Sequence, residues 1–158
     1  MAERTLLDDL YREILLDHYR QPRNRGDLAA PTCAADGSNP LCGDLVRVEV
    51  TVREGRIAEI AFSGHGCSIS QASASMMTEY VKGRSITEAR RGVEAFQRMM
   101  LTAEAPDRAG FDDIAALIGV AKFPARVKCA SLAWKTLAQA LDGDGGAVTT
   151  DERSTHDA

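Results

Sequence analysis

The stretch "VRVEVTVREGRIAEIAFS", residues 46–63, decides the fold. Val46, Val48, Val50 and Val52 alternate with Arg47, Glu49, Thr51 and Arg53, the period-two pattern of a strand with one face buried and one face wet. "EGR" at 54–56 makes a turn, and "IAEIAFS" at 57–63 runs back as a second strand. The expectation is an antiparallel hairpin.

On the N-terminal side, Thr5 and Asp8 have capping-box spacing. Leu6, Leu7, Leu10, Tyr11, Ile14, Leu15 and His18 then follow a helical period to about Arg20. Pro22 and Gly26 stop that helix, and a loop rich in Ala, Pro, Gly and Asn is expected to run to Asp44, carrying Cys33 and Cys42. On the C-terminal side, the small residues of "SGHGCSIS" (63–70) let the chain turn into a helix through "SISQASASMMTEYVKG", with Gly83 as its cap. Ser85 and Glu88 repeat the capping signature for a helix to about Leu101, with Ile86, Ala89, Val93, Phe96 and Met100 on one side. A short helix, "DDIAALIGV", leads to Pro124 and a last helix bearing Val127, Ala130, Trp134, Leu137 and Leu141. The order helix, small sheet, then helices predicts an α+β fold, with a small antiparallel sheet packed against several helices. Residues 1–141 are expected to form one domain and 142–158 a flexible acidic tail.

Composition narrows the function. The 158 residues, 44% hydrophobic and 27% charged, suit a globular chain with a real core. Of the net charge of −4, the segment 142–158 contributes five acids against Arg153 alone, so the remaining body is neutral. A neutral body lacks the basic footprint expected of a nucleic-acid or anionic-membrane partner. The N-terminal "MAERTLLDDLYREILLDHYR" interrupts apolar residues with charges, unlike a secretory signal, and no apolar run is long enough for a membrane helix. The expected compartment is the cytoplasm, where cysteines serve other ends than stable disulfides.

Cys42 precedes the first hairpin strand, Cys67 follows the second, and Cys129 opens the last helix. The start of one antiparallel strand lies beside the end of the next, so Cys42 and Cys67 are expected to be neighbours. Asp44 sits two residues from Cys42 on an extended segment, which turns both side chains to one side. Cys42, Asp44, Cys67 and Cys129 make three sulfurs and one oxygen, an acceptable tetrahedral set for zinc. No C-x-x-C pair exists, and bare spacing leaves free thiols, metal ligands and a disulfide all open.

The segments "LYREILLDHYRQPRNRG" (10–26), "NPLCGD" (39–44), "SGHGCSISQASASMM" (63–77) and "RVKCASLAW" (126–134) together resemble the SufU-type proteins of the IscU-like iron–sulfur assembly group. The resemblance implies an IscU/SufU-like fold and zinc held by Cys42, Asp44, Cys67 and Cys129. It implies a sulfurtransferase role, with Cys42 accepting persulfide sulfur from a SufS-type cysteine desulfurase, a histidine of which takes the zinc position that Cys42 leaves. Downstream iron–sulfur assembly proteins would be further partners. Two features favour the SufU type over a cluster scaffold: an extra helical stretch at roughly 84–105, and Lys128 before Cys129 where scaffold members carry histidine. The alternatives are a scaffold holding a transient iron–sulfur cluster on the same ligands and a structural zinc adaptor.

Other residues divide between chemistry and packing. Arg126, three before Cys129, is a candidate hydrogen-bond donor to a thiolate or persulfide, with a solvated helix-start charge as the competing reading. Lys128 reads as a surface lysine, Cys33 as an incidental loop thiol and His65 as a turn-exposed histidine. His18 reads as a structural or interface residue, Tyr11 and Tyr19 as packing and docking residues, and Trp134, Met76 and Met77 as core.

Overall fold

A computed structural model describes residues 6–143 and 147–149. The hairpin forms as expected: β2 (Asp44–Arg53) pairs antiparallel with β3 (Arg56–His65), from Leu45 opposite His65 to Arg53 opposite Arg56. Glu54 (φ 53°) and Gly55 (φ 74°) are both left-handed, the backbone of a two-residue turn whose twist suits the strands it joins. Val46, Val48 and Val50 turn to the core with Ile57, Ile60 and Phe62.

The expected loop before the hairpin contains another strand. β1 (Cys33–Asn39) pairs antiparallel with β2, Cys33 opposite Val50 and Asn39 opposite Asp44. Its sequence, CAADGSN, is poor in strand formers, because the final helix α4 (Pro124–Asp142) lies directly on it. A side chain at Gly37 would collide with the Thr136 hydroxyl and press on Leu132, so the strand can be covered there only if that position lacks one. Cys33 is therefore half-buried at the edge of the core, not a loop thiol, and burial pushes its pKa up. Asn39 is six positions further along the strand, roughly 20 Å away.

The sheet order is β3-β2-β1-β4, the last being Ala147–Thr149, parallel to β1. These three residues fall inside the segment expected to be a tail, and Asp142 is the final residue of α4. Most of 142–158, like the proposed Thr5 cap, lies outside the described residues.

The remaining elements are α1 (Leu6–Arg20), α2 (Ser68–Val81), α3 (Ile86–Thr102) and a 3-10 helix (Ile114–Lys122). Ser85 caps α3 as its sequence implied, its hydroxyl accepting the Glu88 N–H at 3.0 Å. The helical stretch expected at roughly 84–105 is α3. Gly83 (φ 85°) stands one residue past Lys82, the C-cap of α2. The 3-10 helix must end at Phe123, which is extended (φ −120°, ψ 100°) as the residue before Pro124.

The core lies between the sheet and the helices. Trp134 is wholly buried, stacks on Phe96 at 4.6 Å and donates its indole N–H to Ser73 at 3.0 Å. Removing an aromatic side chain from such a position costs about 3–5 kcal/mol. Met76 and Met77 are core residues too.

Candidate metal centre

Three junctions meet at one end of the sheet. The first is "NPLCGD" itself, a hairpin loop in which Pro40–Gly43 join β1 to β2. The Asn39 carbonyl accepts the N–H groups of Cys42 (3.1 Å) and Gly43 (2.9 Å), and Gly43 takes φ 73°, a conformation glycine adopts without strain. These bonds hold Cys42 exposed on the loop. The second junction is β3 to α2, where Cys67 occupies the N-cap position without a side-chain cap of its own. The third is the start of α4, which carries Cys129 into the protein, 4% exposed.

The Cys42 and Cys129 sulfurs are 3.3 Å apart. That is well beyond a disulfide bond of ~2.05 Å. It is slightly closer than the ~3.8 Å of two sulfurs on one tetrahedral zinc with bonds of ~2.3 Å. Ligand atoms of Cys42, Asp44 and Cys129 all lie within 4.8 Å of one another. Cys67 stands outside that mutual trio but is tied to it by Asp44, whose Oδ1 accepts the Cys67 N–H at 2.9 Å while Oδ2 lies 3.9 Å from its sulfur. Burial pushes the Cys129 thiol far up, reinforced by its hydrogen bond to Cys42 and by the neighbouring Cys67.

Asp44 supplies the test of whether a cation fits. It is 1% exposed, and among the described residues no arginine, lysine or histidine forms an ion pair with it. A buried carboxylate needs a compensating positive charge; the three thiols at its side carry none, and a divalent cation would supply it. Sulfur and carboxylate donors at these separations fit zinc.

Two contributors were not read from the sequence. Asn39 is fully buried, and its side-chain N–H₂ points at both sulfurs, 3.6 Å from Cys42 and 3.7 Å from Cys129. Its Oδ1 accepts the Leu41 N–H at 3.3 Å, so one side chain shapes the loop and faces the cluster. The available signal was an asparagine opening the Pro-x-Cys-Gly loop. Gly66 is the other: an added Cβ would lie 2.5 Å from Asp44 Oδ1, so only glycine lets that carboxylate reach the Cys67 N–H.

Arg126 is exposed in the first turn of α4, and among the described residues its guanidinium makes no hydrogen bond to a cysteine sulfur. Lys128 is half-buried. His65 is exposed at the end of β3 and is absent from the close ligand grouping. Tyr19 shares a cavity of about 290 Å³ with His65, and Tyr11 lines one of about 530 Å³ between α1 and the start of α2.

An α+β fold with three cysteines and a buried aspartate at one end of its sheet defines a class of small cysteine-cluster proteins. Residues 10–130 match the family described as NifU-like N terminal domain, and the chain belongs to that family. It is 44% identical over 140 residues to the zinc-dependent sulfurtransferase SufU of Bacillus subtilis, covering 89% of this chain and 95% of that one. It is 41% identical over 135 residues to the iron–sulfur cluster assembly scaffold protein IscU of Streptococcus pyogenes, covering 85% and 84%. A crystal structure described as a putative iron–sulfur cluster assembly scaffold protein for the SUF system from Fervidobacterium islandicum superposes with a TM-score of 0.77 at 33% identity, covering 82% and 94%.

Proposed function

We propose that this chain is a zinc-dependent sulfurtransferase for iron–sulfur cluster assembly, taking sulfur onto Cys42 from a SufS-type cysteine desulfurase. The observation that carries this is the asymmetry of the sulfurs: Cys42 is exposed on a loop, its neighbour Cys129, 3.3 Å away, is buried in a helix, and Cys67, exposed as well, is fixed at the N-cap of α2 with its N–H bonded to Asp44. Cys42, Asp44, Cys67 and Cys129 would hold zinc, which when bound keeps the thiols deprotonated at neutral pH.

The chain's own residues account for the transfer. Asn39 orients the loop and donates toward the Cys42 sulfur. The Cys42 thiolate attacks the terminal sulfur of the desulfurase persulfide. A new S–S bond forms at Cys42, the old one breaks, and the desulfurase cysteine leaves with the electron pair as a thiolate. Leu41 (68% exposed), Leu45 (48%) and Phe123 (54%) bracket the cluster in sequence, and exposed apolar residues there suit a protein partner. Arg126, exposed at the same helix start, would meet an incoming anion. In onward transfer a thiolate of an iron–sulfur assembly protein would attack the outer sulfur of the Cys42 persulfide, and Cys42 would leave with the electron pair as a thiolate.

The test is desulfurase turnover with L-cysteine, with zinc content measured in parallel. Wild-type protein is expected to stimulate turnover and gain one sulfur atom at Cys42 by mass spectrometry, and Cys42→Ala to do neither. No stimulation by the wild type sinks the proposal. The IscU-named relative favours a second reading, a scaffold that builds a cluster on the same ligands; protein purified coloured and iron-loaded would support it.

A further inference from the structure

We propose a second metal site, for a divalent first-row transition ion, formed by His18, Glu79 and Asp113. His18 ends the apolar stripe of α1 and is 0% exposed. Its Nδ1 lies 2.8 Å from the buried Ser75 hydroxyl, which itself accepts the Arg23 N–H at 2.8 Å. That anchor fixes the imidazole and leaves Nε2 facing two carboxylates, Asp113 at 3.2 Å and Glu79 at 3.8 Å. A ring nitrogen held from behind by a hydrogen bond is usual in a metal-binding histidine, and Nε2, which makes a hydrogen bond to Asp113 at 3.2 Å, would exchange that bond for the ion.

Charge and space agree. One imidazole N–H serves one acceptor, yet two carboxylates have ligand atoms within 4.8 Å of it and of each other. Two cations are near: Arg84 lines the same cavity as both carboxylates, and Arg23 has its Nε 3.8 Å from Glu79 while another of its nitrogens is 2.6 Å from Asp17. With Asp112, three carboxylates face Arg84 and an Arg23 shared with Asp17, which leaves negative charge in excess. Both carboxylates are about half-exposed (52% and 53%), open to an ion from solvent. Glu79 and Asp113 line a cavity of about 200 Å³ with Asp112 and Arg84, room for water ligands. One nitrogen and two oxygens suit Zn²⁺, Fe²⁺, Co²⁺ or Mn²⁺, a harder set than the cysteine cluster. Glu79 is twelve residues beyond Cys67, so the two sites are about 18 Å apart along α2. An ion there would tie α1 to α2 and to the start of the 3-10 helix.

The experiment is a Co²⁺ titration of the metal-free full-length chain, followed by absorption. Two phases are expected. Cobalt at the cysteines gives an intense sulfur-to-metal charge-transfer band, and cobalt at His18, Glu79 and Asp113 gives weak d–d absorption without it. The Glu79→Gln/Asp113→Asn double variant alters only half-exposed side chains and keeps an oxygen that accepts from His18. It is expected to retain the sulfur phase and to bind the second cobalt about tenfold more weakly or worse. A sulfur phase alone in the wild type, or an unchanged second phase in the double variant, overturns the second site. Absence of the sulfur phase counts separately against zinc at the cysteines.

Discussion

The cysteine cluster has two unlike sides. Cys129 and Asp44 are built into a helix and a strand, 4% and 1% exposed, with Asn39 fully buried between loop and sulfurs. Cys42 rides a loop held by backbone hydrogen bonds to one carbonyl, and it is exposed. One side is organised to hold and the other to be reached. If that division governs function, substitutions on the two sides should separate transfer from stability.

The largest effect is expected at Cys42. Cys42→Ala should reduce sulfur acceptance to the background of the desulfurase alone, while changing metal-free stability by less than about 0.5 kcal/mol, as for an exposed site. Cys129→Ala should lower metal-free stability by about 1 kcal/mol as well as metal binding, because it removes a buried side chain. Denaturant melts of both variants after chelation, beside transfer assays, read the difference. Equal stability losses would abolish the contrast.

Asp44 comes next because it has two jobs on the buried side. Asp44→Ala orphans the Cys67 N–H and should cost about 1–3 kcal/mol even without metal. Asp44→Asn keeps an oxygen for that N–H and removes an uncompensated buried charge, so without metal it should be at least as stable as the wild type and still bind zinc poorly. With zinc at about a thousand times Kd, the wild type gains about 4 kcal/mol on binding, and chelation should remove it. Equal zinc affinity in Asp44→Asn and the wild type would show that the carboxylate serves the fold alone.

Asn39 couples the sides. Asn39→Ala removes a donor facing both sulfurs and the bond that shapes the loop, and a loss of about tenfold in zinc affinity is expected, in the range for groups that orient metal ligands. Chelator competition measures the affinity, and the alkylation rate of Cys42 in the metal-free protein reports the loop. An unchanged rate and affinity would leave Asn39 as packing only.

How far these regions could be read from sequence follows from what signals each uses. The β2–β3 hairpin announces itself because four valines alternate with polar residues and Glu54–Gly55 can turn left-handed. α3 is legible from Ser85 and Glu88. β1 is not, because its small residues answer to α4 packed on top, a tertiary demand that local propensity cannot express. The cysteines stood out by lying at junctions, but the loop reading hid that "NPLCGD" closes a hairpin. Asn39 was hidden with it: only pairing opposite Asp44 turns it inward. The His18 cluster draws on residues 18, 79 and 113, with no motif in the sequence to connect them.

The smallest expected effect is a control on the sheet itself, away from the cysteines. Glu49 lies on the nominally polar face of β2 but is 8% exposed, accepting the Leu28 N–H at 2.8 Å and pairing with Arg47 at 2.9 Å. The Leu28 bond, aided by Arg47 and against the cost of burial, holds its carboxyl below the ordinary 4.5. A depressed folded value means that its stabilisation is complete above about pH 4.5 and is lost as pH falls through the folded value. Glu49→Gln should therefore cost about 1 kcal/mol at neutral pH, with or without zinc, and the gap to the wild type should close below about pH 4.5. Urea melts across that range check it. A gap that instead follows zinc occupancy would mean that strain in β2 reaches Asp44, and that the rigid side of the cluster extends along the whole strand.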